Sequence, residues 1–268
     1  MNLLNLRYLS PYAFHLGPIG VHWYGIFMVL SIVIGGWYMY RRGTAAGLED
    51  DLLVNLAVWA IVGGIVGARV VFVLANDPQW FWLDPLQTLR IWQGGLAWDG
   101  GLLGGILTGW WYAAHKGYAV SQFLDWAVPG LSLGYILVRI GNIFNHEVLG
   151  RHTAFFFGRW PAQLIGSFIG LVLLLRYFYL EKKKMPVGYQ FWSFSFYYQI
   201  GRGFIEETVR NNPLYFIHYI NHTLGIGFAT LEQIFTPFIL LISWLGMRQM
   251  KQLATGKAAG RVFTSRET

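Results

Sequence analysis

Residues 138–150 read Val138-Arg139-Ile140-Gly141-Asn142-Ile143-Phe144-Asn145-His146-Glu147-Val148-Leu149-Gly150, and they follow a flank, 128–138, that is almost wholly apolar. On a helix, Arg139, Asn142 and His146 stand at i, i+3 and i+7 and share one face. Glu147 falls about 80° away, at the edge of that face. A charge so placed costs several kcal/mol in lipid unless it is paired or wet, which makes the stretch a candidate site. The alternative is a polar lock between helices.

Working outward, the 268 residues are 55% hydrophobic and only 12% charged, with 18% aromatics and a mean hydropathy of +0.42. Charged residues run at about half the soluble average. Several apolar runs approach the roughly 20 residues that cross a bilayer, so a soluble domain is excluded. The 33 glycines suit close helix packing in lipid. No cysteine is present, which rules out disulfides, thiolate metal sites and a cysteine nucleophile in this chain. Residues 1–18 carry Pro11, Pro18 and scattered polar groups, so no cleavable signal peptide is expected.

Seven spans are expected, near 19–40, 52–76, 97–115, 126–149, 160–180, 188–208 and 228–247. With the N-terminus outside, the inner segments carry eleven Lys or Arg: Arg41, Arg42, Lys116, Lys182, Lys183, Lys184, Arg248, Lys251, Lys257, Arg261 and Arg266. The outer segments carry five: Arg7, Arg90, Arg151, Arg159 and Arg210. Basic residues favour the cytoplasmic side, so the chain is expected N-out and C-in. The expected fold is therefore an all-α polytopic integral membrane protein of about seven transmembrane helices, with small extracytoplasmic arm and head segments. Residues 1–250 form a single transmembrane domain and 251–268 a basic cytoplasmic tail that reads as an orientation and anionic-lipid signal. The net charge of +7 has no nucleic-acid motif behind it.

Further landmarks lie along the chain. His22, Trp23 and Tyr24 open the first span, either as an interfacial aromatic belt or as part of a site. Gly63, Gly64 and Gly67 make a small-residue face that ends at Arg69, which must find a carboxylate, a carbonyl or a lipid phosphate. Residues 77–95, with Trp80, Phe81, Trp82 and Trp92, read as an arm on the membrane surface. The run from Gly94 to Gly105 sets Leu96 and Asp99 among six glycines, including Gly100 and Gly101. Asp99 is either a helix N-cap or a catalytic carboxylate. In the sixth span Tyr198, Arg202, Glu206 and Arg210 are spaced four apart, a stripe able to form Arg–Glu pairs. Two buried arginines on two helices also suit a clamp for a phospholipid headgroup, because the guanidinium fork binds phosphate bidentately and stays charged. His218 and His222 have no third ligand nearby and read as interfacial.

These landmarks together resemble the prolipoprotein diacylglyceryl transferase family. The resemblance runs from Gly17-Pro18-Ile19 and His22-Trp23-Tyr24-Gly25 through Gly67-Ala68-Arg69, the Gly94–Gly105 run, Pro161-x-Gln163-Leu164, Gly201-Arg202 and Glu206. Its strongest piece is Arg139 to Gly150, which carries the family's Arg, Gly-Asn, Asn, Glu and Gly at the right spacing. The resemblance implies a seven-helix enzyme of the bacterial inner membrane. It would move a diacylglyceryl group from phosphatidylglycerol to the lipobox cysteine thiol of a prolipoprotein signal peptide, releasing glycerol phosphate, without metal or other cofactor. It implies Tyr24, Arg139, Asn142, Glu147, Gly150 and Arg202 as functional positions, with Glu206 the partner of Arg202.

Such chemistry needs cations to stabilise the departing phosphate, a part for Arg139 and Arg202 with Tyr24 and Asn142 as donors. It also needs a base for the thiol, for which Asp99 and Glu147 are the candidates. Asn145, His22, Arg69, Gly100 and Gly101 are expected to line the substrate. The chain departs from the family in three places. Asp99 stands where the family has His; Trp160, Ile165 and Gly166 stand for a His, Tyr and Glu; and Arg210 lies four residues past Glu206 where three are expected. A family member that binds anionic phospholipid without transfer is the second reading. A transporter lacks the inverted repeat it would need.

Overall fold

The computed structural model describes residues 9–17, 19–76, 78–90, 95, 97–216 and 218–257. The expectations for Arg7, Pro18, Trp92, Gly94, Leu96, Arg261 and Arg266, and for the side chains of Phe81, Asp99 and Lys257, lie outside the described residues and side chains. Contacts divide the chain into two compact units, Met1–Tyr38 with Ser121–Thr268, and Met39–Val120.

The first unit opens with an antiparallel hairpin, β1 (Tyr12–Leu16) and β2 (Ile19–His22), turned at Gly17. It feeds α1 (Trp23–Ala45), which belongs to this unit as far as Tyr38. α6 (Val120–Phe144) is the most enclosed of the long helices, with half of its apolar window buried. α1 reaches α6 backbone to backbone, since a Cβ on Gly35 would fall 2.7 Å from Gly130 Cα. α7 (Ala162–Lys182) buries Ala162, Gly166, Ile169, Gly170, Leu173, Tyr177 and Leu180, the three-and-four spacing of one helical face. Ile169 and Leu173 close a small core with Tyr135 of α6.

α8 (Tyr189–Gln199) starts where Asp125 of α6 accepts the backbone N–H groups of Gly188, at 2.6 Å, and Phe191, at 2.8 Å. That carboxylate satisfies amides that a helix start leaves orphaned. The helix then widens into a π-helical segment, Ile200–Glu206, before one last turn, α9 (Glu207–Val209). A second hairpin, β3 (Tyr219–Asn221) with β4 (Ile226–Phe228), precedes α10 (Leu231–Gln252). Thr230 caps α10 through a reciprocal box with Gln233.

The second unit is built on α2 (Asp50–Asn76) and α5 (Trp98–His115), with the short helices α3 (Trp80–Leu83) and α4 (Pro85–Leu89) between them. Its helices meet through glycine. A Cβ on Gly67 would lie 2.3 Å from Gly100 O, and one on Gly104 would lie 2.2 Å from Gly63 O. Thr108 then donates to Trp59 O at 2.8 Å. Absent side chains let polar backbones approach, the small-residue packing of membrane helices. Gly67→Val is expected to force these helices apart and lower the melting temperature in detergent, an overpacking cost of about 1–3 kcal/mol. An unchanged melting temperature contradicts that packing.

The fold is mostly helical, with no closed sheet among the described residues. Four helices, α1, α2, α6 and α7, are long and apolar enough to cross a membrane. The other expected spans coincide with α5, with the α8–α9 run, and with α10. The fourth was expected to reach residue 149 but its helix ends at Phe144, because His146 and Val148 take left-handed backbone angles, both at φ 56°.

Candidate functional site

Arg139, on the last two turns of α6, is 8% exposed and holds three partners. Its Nη1 donates to Asn142 Oδ1 at 3.1 Å, one helical turn on. Its Nη2 lies 3.0 Å from Glu206 Oε1 and donates to the Tyr135 hydroxyl at 3.4 Å. Asn142 passes the connection along, its Nδ2 donating to Glu147 Oε2 at 3.0 Å. Glu147 is no longer on the helix. Its backbone N–H bonds back to Asn142 O at 3.0 Å, and Gln163 Nε2 of α7 donates to its carbonyl at 2.8 Å. The left-handed turn at His146 therefore swings Glu147 over Asn142 and seats it above the end of α6.

The expected single face holds for Arg139 and Asn142 but not for His146, which leaves the helix and reaches Leu9 O at 3.1 Å from an exposed position. Asn145 keeps Oδ1 buried without a partner among the described residues. Tyr24, early in α1, packs over Gly141, where an added Cβ would stand 3.0 Å from Tyr24 Cα, and its hydroxyl lies in the fields of Glu147 and Arg139. His22 is exposed at the end of β2, its ring 4.5 Å from that of Tyr12.

Arg202 corrects one expectation. Its ion pair is with Glu207, not Glu206. In a π-helical segment hydrogen bonds run from i to i+5, so the residue brought round beside Arg202 is the fifth one on. Glu206 is thereby turned out of its own helix toward α6, fully buried, where Arg139 and the Tyr135 hydroxyl meet it. Glu207 is also gripped by Asn212 Nδ2 and lies 3.5 Å from Arg210. Arg139 and Arg202 lie within range of each other's charge and share the fields of Tyr135, Tyr198 and Glu206. The two cations thus converge on one cluster, each with its own carboxylate.

Just beyond the helices, Gly150 bridges to Arg210 and allows no side chain, because a Cβ there would meet Trp160 O at 2.1 Å. Arg151 donates to Asn212 O at 2.7 Å and lies flat against Gly227. Burial pushes the Arg151 guanidinium below its ordinary value, with Glu207 pulling the other way. Burial also lowers Arg210, helped by the charges of Arg202 and Arg139.

In the second unit, Arg69 donates to the carbonyls of Thr88 at 2.7 Å, Gln87 at 2.6 Å and Gly95 at 3.0 Å, and stacks on Phe72 and Trp80. Carbonyls, one of the partner classes expected for it, are thus among the partners it takes. Gly100 and Gly101 face α2, packed against Gly67 and Ala68. Asp99 sits in the first turn of α5. His218 and His222 are exposed beside β3, and among the described residues no three metal-ligating side chains gather.

Sequence reasoning passes over three members of the cluster. Tyr135 looks like an ordinary core aromatic, although it stands four before Arg139. Glu207 hides behind its neighbour Glu206. Gly166 is noted only as a departure, yet a Cβ there would fall 2.7 Å from Glu206 Oε2 and 2.8 Å from Arg139 Nε.

Chemically, three arginines (Arg139, Arg202, Arg210) and three carboxylates (Glu147, Glu206, Glu207) gather at one end of the first unit. Arginine forks partly engaged by carboxylates keep N–H groups for a phosphate. Glu147, held through Asn142, places a carboxylate beside them, a group whose chemistry suits it to take a proton.

Comparison with known proteins places the chain beside named relatives. The sequence profile of the family described as prolipoprotein diacylglyceryl transferase matches residues 11–248. A phosphatidylglycerol–prolipoprotein diacylglyceryl transferase of Thermoanaerobacter sp. (strain X514) is 58% identical over 242 residues, 90% of this chain and 94% of its own length. The protein of that name from Caldanaerobacter subterraneus subsp. tengcongensis is 55% identical over 241 residues, 90% of this chain and 94% of its own. One from Thermus thermophilus is 33% identical over 280 residues, 92% of this chain and 99% of its own.

Proposed function

This chain belongs to the prolipoprotein diacylglyceryl transferase family, and from that premise we propose that it transfers a diacylglyceryl group from phosphatidylglycerol to a prolipoprotein. The acceptor is the thiol of the lipobox cysteine in the signal peptide, and glycerol phosphate leaves. The cysteine sulfur attacks the glycerol carbon that carries the phosphate. The C–S bond forms as the C–O bond breaks, the electron pair departs on the phosphate oxygen, and the thiol proton passes to a carboxylate.

The observation that carries this reading is the Arg139–Asn142–Glu147 chain with Arg202 beside it. Arg139 and Arg202 hold the phosphate and stabilise its growing charge. Asn142 orients Glu147, the proton acceptor, with Asp99 the other candidate. Tyr24, Asn145 and His22 line the substrate, Gly150 and Glu206 shape its site, and Gly100, Gly101 and Arg69 act through the packing of α5 and the arm.

The same reading takes seven spans, N-out and C-in, in the bacterial inner membrane. Residues 1–250 are the transmembrane domain and 251–268 a cytoplasmic tail. The excess of eleven inner over five outer basic residues supports that orientation.

The test is purified protein with phosphatidylglycerol micelles and a lipobox peptide, scored by peptide mass. A diacylglyceryl gain is expected with wild type and is lost in Glu147→Gln. Asp99→His and Asp99→Ala run alongside, and loss in Asp99→Ala with Glu147→Gln active moves the base to Asp99. Wild-type protein that binds phosphatidylglycerol and gives no mass gain overturns transfer in favour of lipid binding alone.

A further inference from the structure

Glu206 is fully buried, and its carboxyl group meets two groups of α6, an ion-pair partner at Oε1 and a hydrogen-bond donor at Oε2. Arg139 Nη2 approaches Oε1 at 3.0 Å, while the Tyr135 hydroxyl donates to Oε2. Tyr135 is 3% exposed and stands one helical turn before Arg139. Its ring centroid lies 4.7 Å from the Arg139 guanidinium carbon, and its hydroxyl accepts from Nη2 at 3.4 Å. The ring is fixed in turn by an edge-on contact with Tyr198, centroids 5.1 Å apart. Gly166 on α7 supplies the room, since any Cβ there would press within 2.7–2.9 Å of Glu206 Oε2 and Arg139 Nε and Cδ.

A carboxylate and a guanidinium left to themselves in a dry site close into a two-bond fork. Tyr135 occupies the second oxygen, so the Glu206 contact to Arg139 stays single. We infer that Tyr135, seated over the bare face of Gly166, is a positioning residue for transfer: it holds Glu206 off full engagement and keeps Arg139 N–H groups open to the phosphate. Without the hydroxyl, Glu206 Oε2 is a buried acceptor with no donor and rotates onto Arg139. The cation is then spent on its own counter-ion and contributes less to the transition state than to folding.

The inference rests on the transferase reading above, and the experiment separates the two. Initial rates with phosphatidylglycerol and the lipobox peptide are measured for wild type, Tyr135→Phe, Glu206→Gln and the double variant, with thermal unfolding followed in parallel. Phe keeps the ring, so Tyr135→Phe isolates the hydroxyl. It is expected to lower kcat about tenfold or more with KM for phosphatidylglycerol nearly unchanged. In the Glu206→Gln background the same change is expected to add little, because the group it restrains no longer forks the arginine. A lower melting temperature with unaltered kcat, or equal losses in both backgrounds, overturns the positioning role. Should Tyr135→Phe fail to fold, Gly166→Ala makes the test from the other side, since it presses on the same two groups, and unaltered kcat there overturns the role as well. An inactive wild type instead overturns the transferase reading itself.

Discussion

Arg139→Ala is expected to reduce transfer by at least about 10²- to 10³-fold, the usual loss when a preorganised donor to a developing anion is removed. The leaving group is a phosphate, so charge builds where a guanidinium fork is best matched. Arg139 is the member of the cluster tied to both carboxylate systems, Glu206 on one side and, through Asn142, Glu147 on the other. Its loss therefore removes phosphate stabilisation and loosens the base together. Arg139→Lys is expected to recover little, because a single ammonium cannot span Asn142, Tyr135 and Glu206 at once. The measurement is kcat/KM for peptide mass gain. Activity within threefold of wild type in Arg139→Ala would remove this residue from the chemistry.

The second large effect concerns stability. Glu206→Ala leaves Arg139 charged, 8% exposed and without its ion-pair partner. Breaking one side of a buried pair costs about 3–5 kcal/mol, and the expected reading is a lower melting temperature together with loss of transfer. The double replacement Arg139→Met with Glu206→Leu removes both charges and is expected to regain most of that stability while staying inactive. If the single and the double variant melt alike, the pair carries no such energy in this protein.

How far the sequence reaches depends on which local rule the backbone obeys. Arg139 and Asn142 are legible because α6 is regular where they stand and a spacing of three shares a face. His146 is not, since two successive departures into left-handed backbone, one at β-branched Val148, have no signal in composition. The long apolar helices α1, α2, α6 and α7 are plain from hydropathy, and the glycines of α2 and α5 announce close packing before their partners are known. What stays hidden is what depends on partners across helices. Tyr135 becomes functional only once Glu206 is seen beside it, and Gly166 only once its missing side chain is seen to be occupied space. The pairing of Arg202 escapes for a different reason. Counting by fours presumes an α-helix, and the segment that matters is not one.

That widened segment also bears on the spacing of Arg210. Glu207 stands three before Arg210, the interval expected for the carboxylate of the motif, and it is the carboxylate that holds Arg202. Glu207 is the fifth residue after Arg202, and the π-helical turns accommodate that interval. Ile200–Glu206 thus works like an expansion joint: its wider turns bring Glu207 round to Arg202 and leave Glu206 facing the other way, toward Arg139. Glu206 is the acid that this slack presents to Arg139, and a chain one residue shorter at this point would have to neutralise its arginine from somewhere else.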